Sequence, residues 1–145
     1  MFPRMHVAFA LFADAANVSQ EGKLNILGVF DALHVGNSPA VHPRAHLVVH
    51  LKGTSMDTGQ HTVTLRWTNA SGSELWSSAG DLNVGAMPSG VAEMDVPLIA
   101  QIDLPIDGAG PYLMSIALDD EPRAAVPVQV RVGSATMAPP PGLVS

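Results

Sequence analysis

The feature that most constrains this chain is a period-two alternation of apolar and polar residues that recurs along most of its length. In the segment HTVTLRWTN, Val63, Leu65 and Trp67 alternate with polar residues, and residues 112–118 repeat the pattern. Successive side chains of a strand point to opposite faces, so each segment indicates a strand with one buried face. No run of ten or more residues has a helical period, and the 13 Gly and 12 Pro fall mostly between the apolar runs, as turns do. The sequence therefore predicts an all-β protein.

The spacing of these runs predicts about eight or nine short strands. We expect a single antiparallel β-sandwich of the immunoglobulin-like or Greek-key type, with a barrel as the alternative. The domain should occupy residues 1–132, and residues 133–145 should form a flexible Pro-rich tail, because that segment lacks charge and periodicity. Its prolines, Pro139, Pro140 and Pro141, would hold part of the tail extended.

Local patterns add detail. The clearest hairpin runs from Tyr112 to Val132 and turns at residues 119–122, whereas residues 78–90, rich in Gly, Ser, Asn and Pro, should be the least structured. Antiparallel pairing symmetric about Asp57 would place the apolar faces of residues 45–52 and 62–68 together in one sheet. The connection between them is long, so the chain could instead cross to the other sheet.

Two prolines lie inside predicted strands. Pro97 interrupts the apolar run of residues 91–104, and Pro127 lies among the valines of the last strand. Proline lacks the backbone N–H that a sheet ladder needs, so both positions predict edges or bulges. Such an edge can accept a strand from another protein, or the proline can serve to block that pairing.

Charge and cysteine content narrow the classes of function. The formal net charge is -6 with only seven Lys and Arg, which disfavours nucleic acid and an anionic membrane surface as partners. Cysteine is absent, so disulfides, thiolate zinc sites and a Cys nucleophile are excluded, and a cytoplasmic location is expected. No apolar run is long enough for a membrane helix. The apolar stretch from His6 to Ala13 predicts a core strand rather than a secretion signal, because one positive charge precedes a short apolar run.

The segment EGKLNILGVFDAL could belong either to a phosphate-binding loop or to a hairpin. The loop motif requires a Gly at position 17, a Ser or Thr at position 24 and a following helix; the chain has Asn17, Leu24 and a strand-like alternation instead. A turn at Gly22, a solvated Lys23 and a strand ending in Gly-Val-Phe fit better. Gly28 inside that strand predicts a bulge or a close approach of backbone.

Other candidate chemistry is thin. His42, His46 and His50 recur every fourth residue, but on a strand that spacing is about 13 Å, too far to share one ion. A histidine-bound metal enzyme is therefore the least favoured hypothesis, and no carboxylate is visibly paired with a histidine. Calcium would need convergence of acids such as Asp14, Asp31 and Asp57. Trp67 and Trp76 should belong to the core; an exposed Trp76 would instead favour a sugar- or lipid-binding module.

The segments HVAFALFADAANVSQEGKLNILGVF and GAGPYLMSIALDDEPRAAVPVQV together resemble an uncharacterised bacterial family, a domain of unknown function built as a small immunoglobulin-like β-sandwich. The residues that carry the resemblance are Asp14 in the acidic turn, Gly22 and Lys23, then Gly28 and Phe30. The resemblance implies a fold and transfers no catalytic residues or cofactor. Together with the residue patterns, it leads us to expect a non-catalytic sandwich that acts through contacts with a protein partner or with a second copy of itself.

Overall fold

The computed structural model describes residues 5–133, and these form nine strands in two packed sheets. The strands are β1 (His6–Val18), β2 (Leu24–Phe30), β3 (Ala32–Val35), β4 (Ala40–Gly53), β5 (Gly59–Thr68), β6 (Glu74–Val84), β7 (Met94–Ile106), β8 (Gly110–Leu118) and β9 (Glu121–Val132). A short 3₁₀ turn, Ser55–Asp57, joins β4 to β5. One sheet has the order β2-β1-β4-β7 and the other β3-β9-β8-β5-β6. The prediction of an all-β sandwich is confirmed.

Several local predictions are also confirmed. The first apolar segment is strand β1, and β8 and β9 form the hairpin expected between Tyr112 and Val132. The chain crosses between sheets after β4, because β4 pairs with β1 and β7 whereas β5 pairs with β6 and β8. Of the two alternatives that the sequence left open for this connection, the crossing to the other sheet is the one observed.

Two other expectations need correction. Residues 78–90 were expected to be the least structured part of the domain, but residues 78–84 belong to β6, whose Gly80 and Ser78 pair with Val63 and Leu65 of β5. The sandwich is also not wholly antiparallel, since β3 runs parallel to β9. Gly133, the first residue of the expected tail, donates its N–H to the Val35 carbonyl at 3.0 Å. The rest of that tail, with Pro139, Pro140 and Pro141, lies outside the described residues.

Inward-facing side chains of both sheets form one core. Val49 and Leu51 of β4 face Leu65 and Trp67 of β5, and residues Met114, Ile116 and Leu118 extend the same layer along β8. Among residues 5–133 there is no helix that could cross a membrane.

Trp67 lies at the centre of this core and is fully buried. Its indole N–H donates to the Pro105 carbonyl of β7 at 2.9 Å, which joins the two sheets by a hydrogen bond. Its ring contacts Phe12 of β1, with centroids 6.0 Å apart, and Tyr112 of β8, at 5.1 Å. Burial of Trp67 confirms its predicted core position, and Trp76 is half-buried against the same core.

The Tyr112 hydroxyl bonds to the loop between β7 and β8. It accepts from the Asp107 N–H at 3.0 Å and lies 2.8 Å from the Gly108 carbonyl. A buried Trp and a Tyr hydroxyl bonded to nearby backbone also occur in immunoglobulin-type sandwiches. The immunoglobulin-like assignment itself stays a prediction.

Replacing Trp67 by Phe should destabilise the protein by about 1–3 kcal/mol, because the Pro105 carbonyl would lose its donor in a partly buried place. Urea unfolding followed by circular dichroism measures this loss. Trp76→Phe is the matched control, since Trp76 is half-buried, and we expect a smaller change there. Equal losses in the two variants would contradict a special role for the bond between sheets.

Candidate functional site

The hairpin formed by β1 and β2 extends beyond the sheet to which it belongs. Pairing of β1 with β4 ends at Ala13, whereas pairing of β1 with β2 continues from Phe12 to Val18. We call residues 14–28 the hairpin arm. At its tip the Ser19 N–H donates to the Lys23 carbonyl at 2.8 Å, and Gly22 has a φ of 82°, which a side chain would disfavour. The segment that could have been a phosphate loop is therefore a turn followed by a strand.

Gly28 lies opposite Asp14 at the root of the arm. It has a φ of 73°, and a Cβ placed on it would overlap the Asp14 carboxylate. The ladder between β1 and β2 keeps one register on either side of this pair. Neither sequence-based expectation for Gly28 is met: there is no bulge, and the group that lies close is the Asp14 side chain rather than another backbone segment.

An open groove lies between the tip of the arm and the sheet beside it. Its volume is about 410 Å³, and its walls include Leu24 and Ile26 of the arm and Phe9, His50 and Pro97 of the sheet. On the same sheet, Ala13 and Val48 are completely buried although both lie outside the main core. The groove walls show that the tip of the arm lies beside apolar residues of the sheet.

The rim of this groove carries a small charged cluster. Lys52 lies 3.0 Å from Asp95 and 3.6 Å from Glu93, and the His50 Nε2 lies 3.4 Å from the same Asp95 oxygen. The hydrogen bond from Lys52 lowers the pKa of Asp95, so that carboxylate stays ionised. The site thus combines an apolar floor with charges that are already paired.

The side chains of β2 alternate between half-buried and exposed positions. Leu24 and Ile26 are half-buried, while Leu27 and Val29 are 72% and 62% exposed. Phe30 at the root stacks on Phe12, with ring centroids 5.7 Å apart, and so anchors the arm to the core. The arm presents two of the most exposed large apolar side chains of the described residues.

The structure places all five residues of the family resemblance on or beside this arm. Asp14 and Gly28 meet at its root, Gly22 and Lys23 form its tip, and Phe30 joins it to the core. Lys23 is solvated as expected and lies 3.3 Å from Glu21. Pro97, one of the two prolines predicted to mark a strand edge, lines the groove beside the tip of the arm.

Both strand prolines lie beside unpaired backbone. Pro97 belongs to β7, an edge strand, and pairs on its inner side with His50. Pro127 pairs with Leu113 of β8, and on its other side β3 covers only residues 129–132 of β9. These edge positions agree with the sequence, and their role in binding stays a prediction.

A second opening separates the edge strands β6 and β7. This cleft has a volume of about 250 Å³ and reaches core side chains such as Leu47, Leu65, Leu82 and Leu98. Ser78 and Asp81 lie among its other lining residues. The cleft is apolar apart from those two side chains, so it suits an apolar group better than a sugar.

Sequence reasoning missed a pair formed by a histidine and a carboxylate, His61 and Asp119, which lies away from the hairpin arm. The His61 Nδ1 lies 2.7 Å from the Asp119 carboxylate, and its Nε2 contacts the Asp57 carbonyl. Both partners are acceptors, so the ring must donate from both nitrogens, and the bond to Asp119 raises the pKa of His61. An imidazole held in this way has no free lone pair and cannot act as a general base.

Asp57 connects this network to Met5, the residue directly before β1. Its buried carboxylate accepts the Met5 N–H at 3.1 Å and the Thr54 N–H at 2.8 Å. Asp57, His61 and Asp119 therefore tie the start of β1, the 3₁₀ turn and the β8–β9 turn together. The arrangement is a structural lock, and no signal in the sequence links residues so distant.

The remaining histidines and acids do not converge. His42 lies against the Phe30 ring at 5.5 Å, and the His46 Nδ1 lies 3.0 Å from the Arg44 carbonyl. Of the acids considered as calcium ligands, Asp57 is bonded in the lock and Asp14 lies beside Gly28 at the root of the arm. Within residues 5–133 no three His, Asp or Glu side chains are placed to hold a metal ion.

Gly28→Ala should lower stability by about 1–3 kcal/mol, because it adds a strained φ and an overlap with Asp14. Gly22→Ala is the matched control: its φ is similar but nothing lies within 4 Å, so about 1 kcal/mol should be lost. Chemical denaturation measures both. The double variant Asp14→Ala, Gly28→Ala should recover part of the loss. If the two single variants lose equal stability, the Asp14 contact is unimportant.

Stability contributed by His61 should depend on pH. Its folded-state pKa lies above the ordinary value of 6.5, so the contribution is complete below that value and is lost as the pH rises through the raised pKa. His61→Gln should therefore cost more stability near about pH 5.5 than near about pH 8.5. Denaturant unfolding at the two pH values checks this, and Asp119→Asn should remove most of the difference. A cost that does not vary with pH would contradict the pairing.

Comparisons with known proteins place this geometry in context. A search of curated proteins finds no match. Among solved structures, the alkylpurine DNA glycosylase AlkC of Pseudomonas fluorescens, bound to DNA containing an abasic site analog, matches with 11% sequence identity and a TM-score of 0.46. The match covers 88% of this chain but only 30% of the glycosylase chain. So distant a likeness assigns no function.

A protein-family model gives the firmer result. The model described as "Family of unknown function (DUF6941)" matches residues 8–131, which include the whole hairpin arm and both sheets apart from residues 6, 7 and 132. That range contains the five residues that carry the resemblance, and the match confirms that the chain is a member of an uncharacterised domain family. The protein belongs to the family of unknown function DUF6941.

Proposed function

We propose that this protein is a non-catalytic β-sandwich that acts through protein contacts, as an accessory, scaffold or assembly subunit. The observation that carries the proposal is the exposure of Leu27 and Val29, at 72% and 62%, on a strand that lies at the edge of its sheet. Apolar side chains exposed beside unpaired strand backbone are a common way to bind another protein. The surface of contact is therefore β2.

The charges and histidines support binding over chemistry. His61 uses both ring nitrogens in the structural lock, and the Asp95 carboxylate is engaged by Lys52. The net charge of -6 favours a protein partner over nucleic acid. The cytoplasmic location expected from the lack of cysteine stays a prediction.

The cleft between β6 and β7 favours a second candidate, a ligand-binding sandwich. Its 250 Å³ are lined mainly by aliphatic side chains from both sheets, which points to the acyl chain of a lipid rather than to a sugar. Trp76, which a sugar site would need exposed, is half-buried. If a lipid that copurifies with the native chain is absent from the Leu82→Asp variant but present in the variants of β2, this second function gains support.

The first candidate is tested with Leu27→Asp combined with Val29→Asp. We expect affinity capture from cells that express the native chain to recover a protein, this chain or another, whose yield falls about tenfold or more in the variant, because charges would be buried at an apolar contact. The control, Val41→Asp combined with Met56→Asp, adds the same charge at exposed positions elsewhere. Identical recovery from both variants would remove the support for β2 as the contact surface.

A further inference from the structure

The two sheets end in four edge strands, and three of them carry features that discourage pairing with another chain. β7 contains Pro97, Pro105, Asp95 and Asp103, β6 contains Glu74 and Asp81, and β3 has only four residues. Prolines, charges and short length are the usual protections of an edge. β2 has seven residues with neither a proline nor a charge. It is the unprotected edge of the described sandwich.

The backbone of β2 is arranged to pair outward. Ser19 bonds to Lys23 at the hairpin tip, and backbone-bonded pairs of an antiparallel ladder recur every second residue. Asn25, Leu27 and Val29 therefore direct their N–H and C=O groups toward β1. Those of Leu24, Ile26 and Gly28 point to the open edge, where a second strand can bond to them.

We propose that this edge pairs with β2 of a second copy of the chain, antiparallel and with Leu27 opposite Leu27. The inference rests on the proposed function and names its partner. The same register places Asn25 opposite Val29 of the other copy and makes one continuous eight-stranded sheet from two four-stranded ones. A two-fold axis then passes between the Leu27 side chains, as a closed dimer requires.

The flanking charges select this register. Lys23 precedes β2 and Asp31 follows it, each four residues from Leu27, so Lys23 of each copy meets Asp31 of the other. A register centred on Gly28 would instead place Asp31 opposite Asn25 and leave Lys23 without a carboxylate. The present partner of Lys23 is Glu21, and both side chains are about three-quarters exposed, 77% and 75%. Exchange of one exposed ion pair for another costs little, so these charges fix alignment more than strength.

The dimer should be weak. Seven residues give an edge of about 24 Å, and such a contact is smaller than the standard interface of about 800 Å² per partner. Association should therefore depend on concentration, and a disulfide across the axis offers a sensitive way to detect it.

The chain has no cysteine, so a single introduced Cys reports one contact. Leu27→Cys should form a disulfide-linked dimer on mild oxidation, because directly opposed residues have Cβ atoms about 4.5–5.5 Å apart. Val29→Cys alone should yield about tenfold less, since its counterpart in the other copy lies about 14 Å along the strand. A mixture of Asn25→Cys and Val29→Cys proteins should again give a mixed dimer. Val41→Cys is the exposed control outside β2.

Charge exchange tests the register without a cysteine. Lys23→Glu does more than remove an ion pair, since it sets two carboxylates opposite each other, so it should weaken self-association of the full chain in light scattering across a concentration series. Lys23→Glu combined with Asp31→Lys should restore it. The proposal is overturned if Leu27→Cys links no more than Val41→Cys, or if Val29→Cys alone links best. A monomer that still loses a captured protein through the Asp variants of β2 would overturn the dimer and leave the proposed function standing. If the Asp variants of β2 lose neither self-association nor a captured protein, both the dimer and the proposed function are overturned.

Discussion

The hydrogen bond from the Trp67 indole to the Pro105 carbonyl is the interaction on which the arrangement of the two sheets depends. It is directional, whereas the aliphatic contacts around it fix area but little orientation. Because Trp67 also contacts Phe12 and Tyr112, one side chain relates β5 to strands β1, β7 and β8. Phe12 in turn carries Phe30, so the position of the hairpin arm depends on the same group of rings.

The arm shows how a buried interaction is carried to the surface. Stacking of Phe30 on Phe12 fixes its root, and Gly28 leaves room there for the Asp14 carboxylate. The half-buried Leu24 and Ile26 then lie over the groove, which leaves Leu27 and Val29 exposed. Exposure of the apolar side chains in β2 is therefore a consequence of how the arm is held. The proposed contact surface depends on the packing of Phe30 against Phe12 in the core.

Alternation predicted the strands whose inner face is apolar and failed where an edge strand lacks that face. β8 and β9 were evident because every second side chain is buried, while β6 carries Ser, Gly and Asn that face solvent and so resembles a loop. The matching faces of β4 and β5 left two arrangements open for a physical reason: such side chains can meet along one sheet or, as here, across the core. Gly28 could be recognised as unusual because a glycine in a strand needs a cause. The pairing of His61 with Asp119 could not, because 58 residues separate them and only the β5–β8 ladder brings them together.

The parallel pairing of β3 with β9 has a consequence for the order of folding. β3 lies near the beginning of the described chain and its only sheet neighbour is the last strand, with Ala32 opposite Gln129. Contacts between residues so far apart form late, since the loop-closure entropy must be overcome first. During synthesis on the ribosome, β3 has nothing to pair with until almost the whole domain has emerged. The sandwich therefore closes with its final strand, and a nascent chain stopped before β9 would keep the side of the molecule next to β2 open.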